Sequence, residues 1–162
     1  MPKPSIDSLA PDFTAPVVGG DYEPGSRLTL SALRGQPVVL YFYPKDDTPG
    51  CTTQACAIRD SWNTMSKKAR LFGVSVDPVK NHIKFQAKYD LPFPLISDED
   101  QSIVNAYGVW VEKMLYGKKY LGTERSTFVI GADGRILAIL EKVKPDEHVD
   151  LLIEALEACA PS

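Results

Sequence analysis

Apolar residues along this chain fall into two patterns: short unbroken runs, which signal buried strands, and positions three or four apart, which signal amphipathic helices. The most apolar run is Pro37-Val38-Val39-Leu40-Tyr41-Phe42-Tyr43, rich in β-branched and aromatic residues, and it predicts a strand buried on both faces that ends at Pro44. From Thr52 to about Lys68, Ala55, Ile58, Trp62 and Met65 recur at helical spacing, so the strand is expected to pass through a Pro/Gly loop into an amphipathic helix. Residues 71 to 76 read as a second buried strand. Pro78 suits a helix start, and Val79, Ile83, Phe85 and Tyr89 predict a helix with a broad apolar side, broken by Leu91-Pro92-Phe93-Pro94. Leu95-Ile96-Ser97 predicts a short strand, and residues 98 to 107 a short helix. Residues 126 to 130 and 135 to 140 are strand-like runs around Gly131-Ala132-Asp133-Gly134, the pattern of a tight hairpin. Pro145 opens a closing helix with an apolar stripe of Val149, Leu152, Ile153 and Leu156.

This order of strands and helices predicts an α/β protein whose central mixed sheet is flanked by helices. The 162 residues fit one domain spanning the whole chain, large enough to bury a core without staples, and no repeat or linker divides it. The net charge of −3 comes from interspersed acids and bases, which gives no basic stripe for nucleic acid phosphates. The N-terminus lacks the apolar core of a secretory signal and no run is long enough to span a bilayer, so the expected location is the cytoplasm. Three cysteines are too few for a secreted disulfide framework and point to chemistry or to core packing.

The candidate chemistry lies in Pro44-Lys45-Asp46-Asp47-Thr48-Pro49-Gly50-Cys51-Thr52-Thr53-Gln54-Ala55-Cys56. Here Cys51 falls where the loop after a buried strand meets the first turn of a helix. Unpaired N–H groups and the positive end of the helix dipole favour a thiolate there. Thr48 brings a hydroxyl one short turn before Cys51, and Pro44 and Pro49 stiffen the loop. The plainer reading of Cys51 is a small core hydrophobe, against which the polar Pro/Gly setting argues. Cys56 is, by itself, equally well a packed helix residue. On an intact helix its Cα lies about 8.7 Å from that of Cys51, from a rise of about 7.5 Å and the chord across a radius of about 2.3 Å. A disulfide needs Cα atoms within about 7 Å. Any Cys51–Cys56 bond therefore requires the helix to unwind locally.

Pro44, Thr48 and Cys51 fill the pattern of the peroxiredoxin active-site loop: Pro, three residues, Thr or Ser, two residues, Cys. Tyr41-Phe42-Tyr43-Pro44-Lys45, Thr48-Pro49-Gly50-Cys51-Thr52, Ala55-Cys56 and Arg59-Asp60 resemble the subfamily called peroxiredoxin Q or bacterioferritin comigratory protein. Gly73-Val74-Ser75, residues 91 to 98, Tyr107-Gly108-Val109-Trp110, Tyr116-Gly117-Lys118 and Glu124-Arg125-Ser126-Thr127-Phe128 are similar to it in order and spacing, so the likeness covers nearly the whole chain. The resemblance implies a thioredoxin-like fold. It also implies a thiol peroxidase for hydrogen peroxide and organic hydroperoxides in which Cys51 is peroxidatic and Cys56 resolving. Thioredoxin or a similar dithiol is the implied reductant, no cofactor is needed, and the subfamily leans toward a monomer. Arg125 is implied to sit on a strand beside the loop and present its guanidinium to Cys51 and the peroxide, whereas spacing alone suggests an ion pair with Glu124 or Asp133.

Two positions depart from the subfamily pattern. Val111 stands where glycine is common, and Cys159 falls on the last helix's stripe, where it reads as packing. Three other functions compete on the residues. A disulfide oxidoreductase would normally use Cys-x-x-Cys, whereas four residues separate Cys51 and Cys56. A zinc module would draw on Cys51, Cys56 and one of Cys159, His82 or His148, but the ligand spacing is half present and both histidines read as solvated helix residues. A redox sensor would use the same disulfide without rapid turnover.

Overall fold

Side chains alternate along the central strand. Val38, Leu40 and Phe42 pack into one apolar cluster and Val39, Tyr41 and Tyr43 into another, so this strand must be covered on both faces. A computed structural model of the protein, which describes residues 2–159, achieves this with a mixed seven-stranded sheet. Its strands are β1 (Thr14–Gly19), β2 (Tyr22–Thr29), β3 (Val38–Phe42), β4 (Arg70–Ser75) and β5 (Leu95–Ser97), with β8 (Thr127–Ile130) and β9 (Ile136–Leu140) near the C-terminus. A separate two-stranded ribbon pairs β6 (Trp110–Leu115) with β7 (Lys118–Thr123). The spatial order is β2-β1-β5-β4-β3-β8-β9, with β3, β4 and β5 parallel to one another and the outer pairs antiparallel.

Helices α1 (Pro49–Asp60), α3 (Val79–Tyr89) and α5 (His148–Cys159) bury Ala55, Ile58, Phe85, Leu152 and Leu156 against the face that carries Val39 and Tyr41. The opposite face is closed by α4 (Ser102–Ala106) with Ile103 and Val104, by Tyr107, and by the 3-10 turn Leu30–Leu33. This is the central mixed sheet between helices that the periodicity predicts.

Several expectations change. The predicted long helix starts earlier, with Thr48 extended as N-cap and Pro49 at the first helical position. It breaks at Ser61 before the single turn α2 (Trp62–Met65). On α3 the buried residues are His82 and Phe85, while Ile83 is exposed. The hairpin β1–β2 and the ribbon β6–β7 have no counterpart in the apolar pattern, because β2 carries Pro24 and Gly25 and β7 is mostly exposed. Val111 lies within β6, opposite Gly122, so its β-branched side chain suits the backbone there. The connection from β8 to β9 is the expected tight turn, with Gly134 in the left-handed region at φ 88°.

Gly73 on β4 packs directly against the Tyr41 ring and Leu95. A Cβ there would lie 2.9 Å from the Tyr41 ring and hydroxyl and 2.9 Å from Leu95 Cδ2. Gly73→Ala is expected to lower unfolding free energy by about 1–3 kcal/mol, measured by urea titration, because a fully buried ring has no space to move into. An unchanged midpoint would show that the Tyr41 side of the sheet can repack.

Candidate active site

The candidate residues come from three segments that the sheet brings together. Strand β3 ends at Phe42 and delivers the loop of Pro44 to Thr48. Helix α1 then begins with Pro49, which places Cys51 in its first turn. Thr48 bridges the two: its carbonyl accepts the Thr52 N–H at 2.8 Å and its hydroxyl donates to the Lys45 carbonyl at 2.9 Å. That hydroxyl is therefore spent on the loop and keeps acceptor lone pairs free. Cys51 is 1% exposed and packs among Tyr41, Tyr43, Ala55 and Ile58.

Arg125 arrives from the connection between β7 and β8, a loop position and not the strand expected from the resemblance. Its Nη2 lies 3.5 Å from Cys51 Sγ, and its Nη1 donates to Gln54 Oε1 at 2.6 Å. The ion pair suggested by spacing does not form: Glu124 takes Lys3 Nζ at 2.8 Å and the Ser126 hydroxyl, and Asp133 faces Arg135. Gly50 leaves room for the guanidinium, since a Cβ there would meet Arg125 Nη2 at 3.2 Å. The arrangement sets a permanent cation and a helix N-terminus on one buried sulfur, and both stabilise negative charge there.

Cys56 lies on the same intact helix, partly exposed, and both thiols are free. Cys159 ends α5, partly exposed beside Leu156, Leu137 and Lys68 and away from the loop. Neither histidine is solvated, contrary to the sequence reading. His82 is fully buried, with Nδ1 at 2.5 Å from Asp46 Oδ2 and Nε2 at 2.9 Å from the Ile96 carbonyl. His148 is fully buried, bonds Thr127 Oγ1 through Nε2 at 2.7 Å, and leans on the Tyr41 ring at 5.6 Å between centroids. Their contacts are thus with Asp46 and Thr127, and the combinations with Cys51 and Cys56 weighed for zinc do not come together.

Gln54, Tyr41, Lys113 and the Asp46 network join the site without being marked as site residues by the sequence pattern. Gln54 follows Cys51 by three residues, a spacing that puts both on one helix face and was the one legible signal. Its Nε2 and the Tyr41 hydroxyl are buried beside the sulfur with no hydrogen-bond partner among the described residues. Burial, and then the charges of Cys51 and Asp46, hold the Tyr41 hydroxyl well above its ordinary value. Lys113 on β6 is half-buried, and burial followed by the Arg125 charge pushes its ammonium down. Asp46, Asp77 and His82 bring three ligand-type atoms within 4.8 Å of one another, and hydrogen bonds inside the protein occupy all of them.

A buried thiol at a helix start, faced by arginine on a thioredoxin-like sheet, defines a class of protein that performs thiol chemistry. Residues 6–139 match the AhpC/TSA family. Peroxiredoxin Bcp of Bacillus subtilis is 42% identical over 153 residues, covering 94% of this chain and 94% of that protein. The solved structure of Xylella fastidiosa PrxQ superposes with a TM-score of 0.87 at 34% identity, covering 97% of this chain and 98% of the other. A bacterioferritin comigratory protein of Xanthomonas campestris, studied for its alkyl peroxide reduction activity, matches with a TM-score of 0.82 at 39% identity over 90% of each chain. The chain belongs to the AhpC/TSA family and, within it, to the peroxiredoxin Q or bacterioferritin comigratory protein group. It is a thiol peroxidase, with a peroxide as substrate and a thiol as reductant.

The wall behind the sulfur carries a pH signature. Burial, and then the charge of Arg125, push His148 from 6.5 down to about 3. A histidine depressed in this way is neutral in the fold and takes up a proton on unfolding. Its contribution to stability is therefore present above pH 6.5 and lost as pH falls toward 3. The stability difference between wild type and His148→Gln, from urea titrations between about pH 7.5 and pH 5, should shift against wild type by up to about 1.4 kcal/mol per pH unit below 6.5. A difference that stays constant across that range would show that His148 titrates normally in the fold.

Proposed function

We propose that Cys51 is the peroxidatic thiol of this peroxidase, Cys56 the resolving thiol, and Arg125, Thr48 and Pro44 the residues that charge and shape the site. The approach of Arg125 Nη2 to within 3.5 Å of Cys51 Sγ, at the first turn of α1, carries this reading. The guanidinium cannot lose its proton, so it serves the thiolate first and then the charge that builds on the peroxide oxygens. The free lone pairs of the Thr48 hydroxyl can accept the O–H of the hydroperoxide and orient it for in-line attack. Pro44 has no N–H to offer and stiffens the loop that closes over the sulfur.

In this cycle the Cys51 thiolate attacks the terminal oxygen of ROOH. The S–O bond forms as the O–O bond breaks, and the departing alkoxide takes a proton and leaves as alcohol, or as water from hydrogen peroxide. Cys51 becomes a sulfenic acid. Since α1 keeps the two thiols about 8.7 Å apart at Cα, its first turns must unwind before the Cys56 thiolate reaches Cys51 Sγ and expels the hydroxyl as water. An external dithiol, thioredoxin or one like it, then reduces the disulfide through a mixed disulfide. Every residue of the cycle comes from one chain, so the working unit proposed is a monomer, and free thiols suit the cytoplasm. Among the described residues no helix is long and apolar enough to cross a membrane.

Peroxide consumption coupled through thioredoxin and its reductase to NADPH oxidation tests the assignment. Cys51→Ser should abolish turnover, Cys159→Ser should leave it unchanged, and Arg125→Ala should lower kcat/KM for peroxide by about 10²–10³. Cys56→Ser should lose coupled turnover yet still consume about one equivalent of peroxide per chain. Turnover that survives Cys51→Ser would sink the proposed nucleophile. Activity that needs Cys159 but not Cys56 would move the resolving role to α5.

A further inference from the structure

We propose that His82 is a positioning residue for the catalytic loop: by gripping Asp46 it holds the segment that carries Cys51 in its folded form and sets how readily α1 unwinds for Cys56. The inference rests on the cycle proposed above, in which unwinding must precede disulfide formation.

Asp46 lies in the loop between β3 and α1, five residues before Cys51. Both of its carboxylate oxygens and its backbone N–H are bound to buried groups. Oδ2 faces His82 Nδ1 at 2.5 Å, Oδ1 accepts the Tyr43 hydroxyl at 2.6 Å, and the N–H donates to Asp77 Oδ2 at 2.9 Å. The anchors are themselves held. His82 Nε2 lies 2.9 Å from the Ile96 carbonyl, which can only accept, so this nitrogen carries a hydrogen. Asp77 Oδ2 also takes the Ser75 hydroxyl at 2.6 Å, and its carbonyl takes that of Ser97 at 2.6 Å. One loop residue is thus fastened to α3, β4 and β5, none of which contains either thiol of the cycle.

Helix α3 holds the mobile unit at two further places. Lys88 Nζ and the Tyr89 hydroxyl each reach Asp47 at 2.8 Å, and Arg59 Nη1, at the far end of α1, donates to the Tyr89 carbonyl at 2.8 Å. The Asp47 contacts are exposed, where an ion pair contributes little. The Asp46–His82 pair is buried, and removing either partner leaves the other charge or donor without water or partner. Among these fastenings it therefore carries the largest bias toward the wound helix. Losing it should make unwinding easier and leave the loop less ordered for peroxide.

Stopped-flow fluorescence of the reduced full-length chain mixed with hydrogen peroxide separates the two effects, with Trp62, at the start of α2, as a reporter. The first phase, oxidation of Cys51, scales with peroxide. The second, disulfide formation, does not, and is absent in Cys56→Ser. In His82→Asn and Asp46→Asn the second phase should accelerate about tenfold while the first slows, and more peroxide should be needed to overoxidise Cys51. Tyr43→Phe, which removes one bond to Asp46, keeps the test alive if those variants fail to fold, and should shift both phases in the same directions by less. Lys88→Ala, which removes only an exposed contact, should shift both phases least of all. A merely structural His82 would lower thermal stability without speeding disulfide formation. A second phase that is unchanged or slower in the folded variants overturns the proposal and leaves the cycle intact, whereas a wild type without a second phase overturns the cycle itself.

Discussion

The buried sulfur of Cys51 has to be kept dry and kept beside a positive charge at the same time. In a low-dielectric setting the Coulomb attraction between Arg125 and a thiolate is stronger than in water, but only while the guanidinium stays in place. Three features hold it there. Gln54 accepts its other nitrogen, Gly50 leaves the space it occupies, and the β7–β8 connection delivers it from across the sheet. The buried wall behind the sulfur carries a histidine held neutral by the same burial and the same arginine, so no second cation competes from that side at physiological pH.

In the proposed cycle, holding the site together conflicts with completing the reaction. A wound α1 gives Cys51 its helix N-terminus and its contact with Arg125, and that same winding keeps Cys56 out of bonding range. That cycle asks the loop before α1 to be stable enough to bind peroxide and weak enough to release the helix. Its fastenings divide accordingly: an exposed pair at Asp47, a partly buried one at Arg59 and a buried network around Asp46. A graded set of this kind would suit a segment that opens without the sheet, since local opening draws on contacts at the segment's own ends.

The architecture supplies the rigid part of this arrangement. Strand β3 is buried on both faces and paired on both edges, in parallel with β4 and antiparallel with β8, so the point where the loop leaves it is fixed. The same pairing with β8 sets the height at which Arg125, two residues before that strand, meets the sulfur. The ribbon β6–β7 stands apart from the sheet, with Met114, Leu115, Tyr116 and Leu121 exposed along it.

Local rules account for what the residues alone determine. The apolar run of β3, the Pro/Gly loop, the helix start at Cys51 and the stripes of α1 and α5 each follow from neighbours within a few positions, and the spacing of Pro44, Thr48 and Cys51 is enough to place the candidate chemistry. Other features depend on partners distant in the chain. Arg125 meets Cys51 across 74 positions and His82 meets Asp46 across 36, so no periodicity could show either pair, and both histidines, read locally, look like ordinary polar helix residues. The β1–β2 hairpin and the β6–β7 ribbon are illegible for a related reason: β2, interrupted by Pro24 and Gly25, and the mostly exposed β7 are stabilised by pairing and not by an apolar period of their own. Short-range patterning thus determines the elements and the place of the candidate nucleophile. Which cation faces the sulfur, and what fastens the loop that carries it, is decided only when the sheet brings distant segments together, because hydrogen bonds and charge contacts act over a few ångströms in space regardless of separation along the chain.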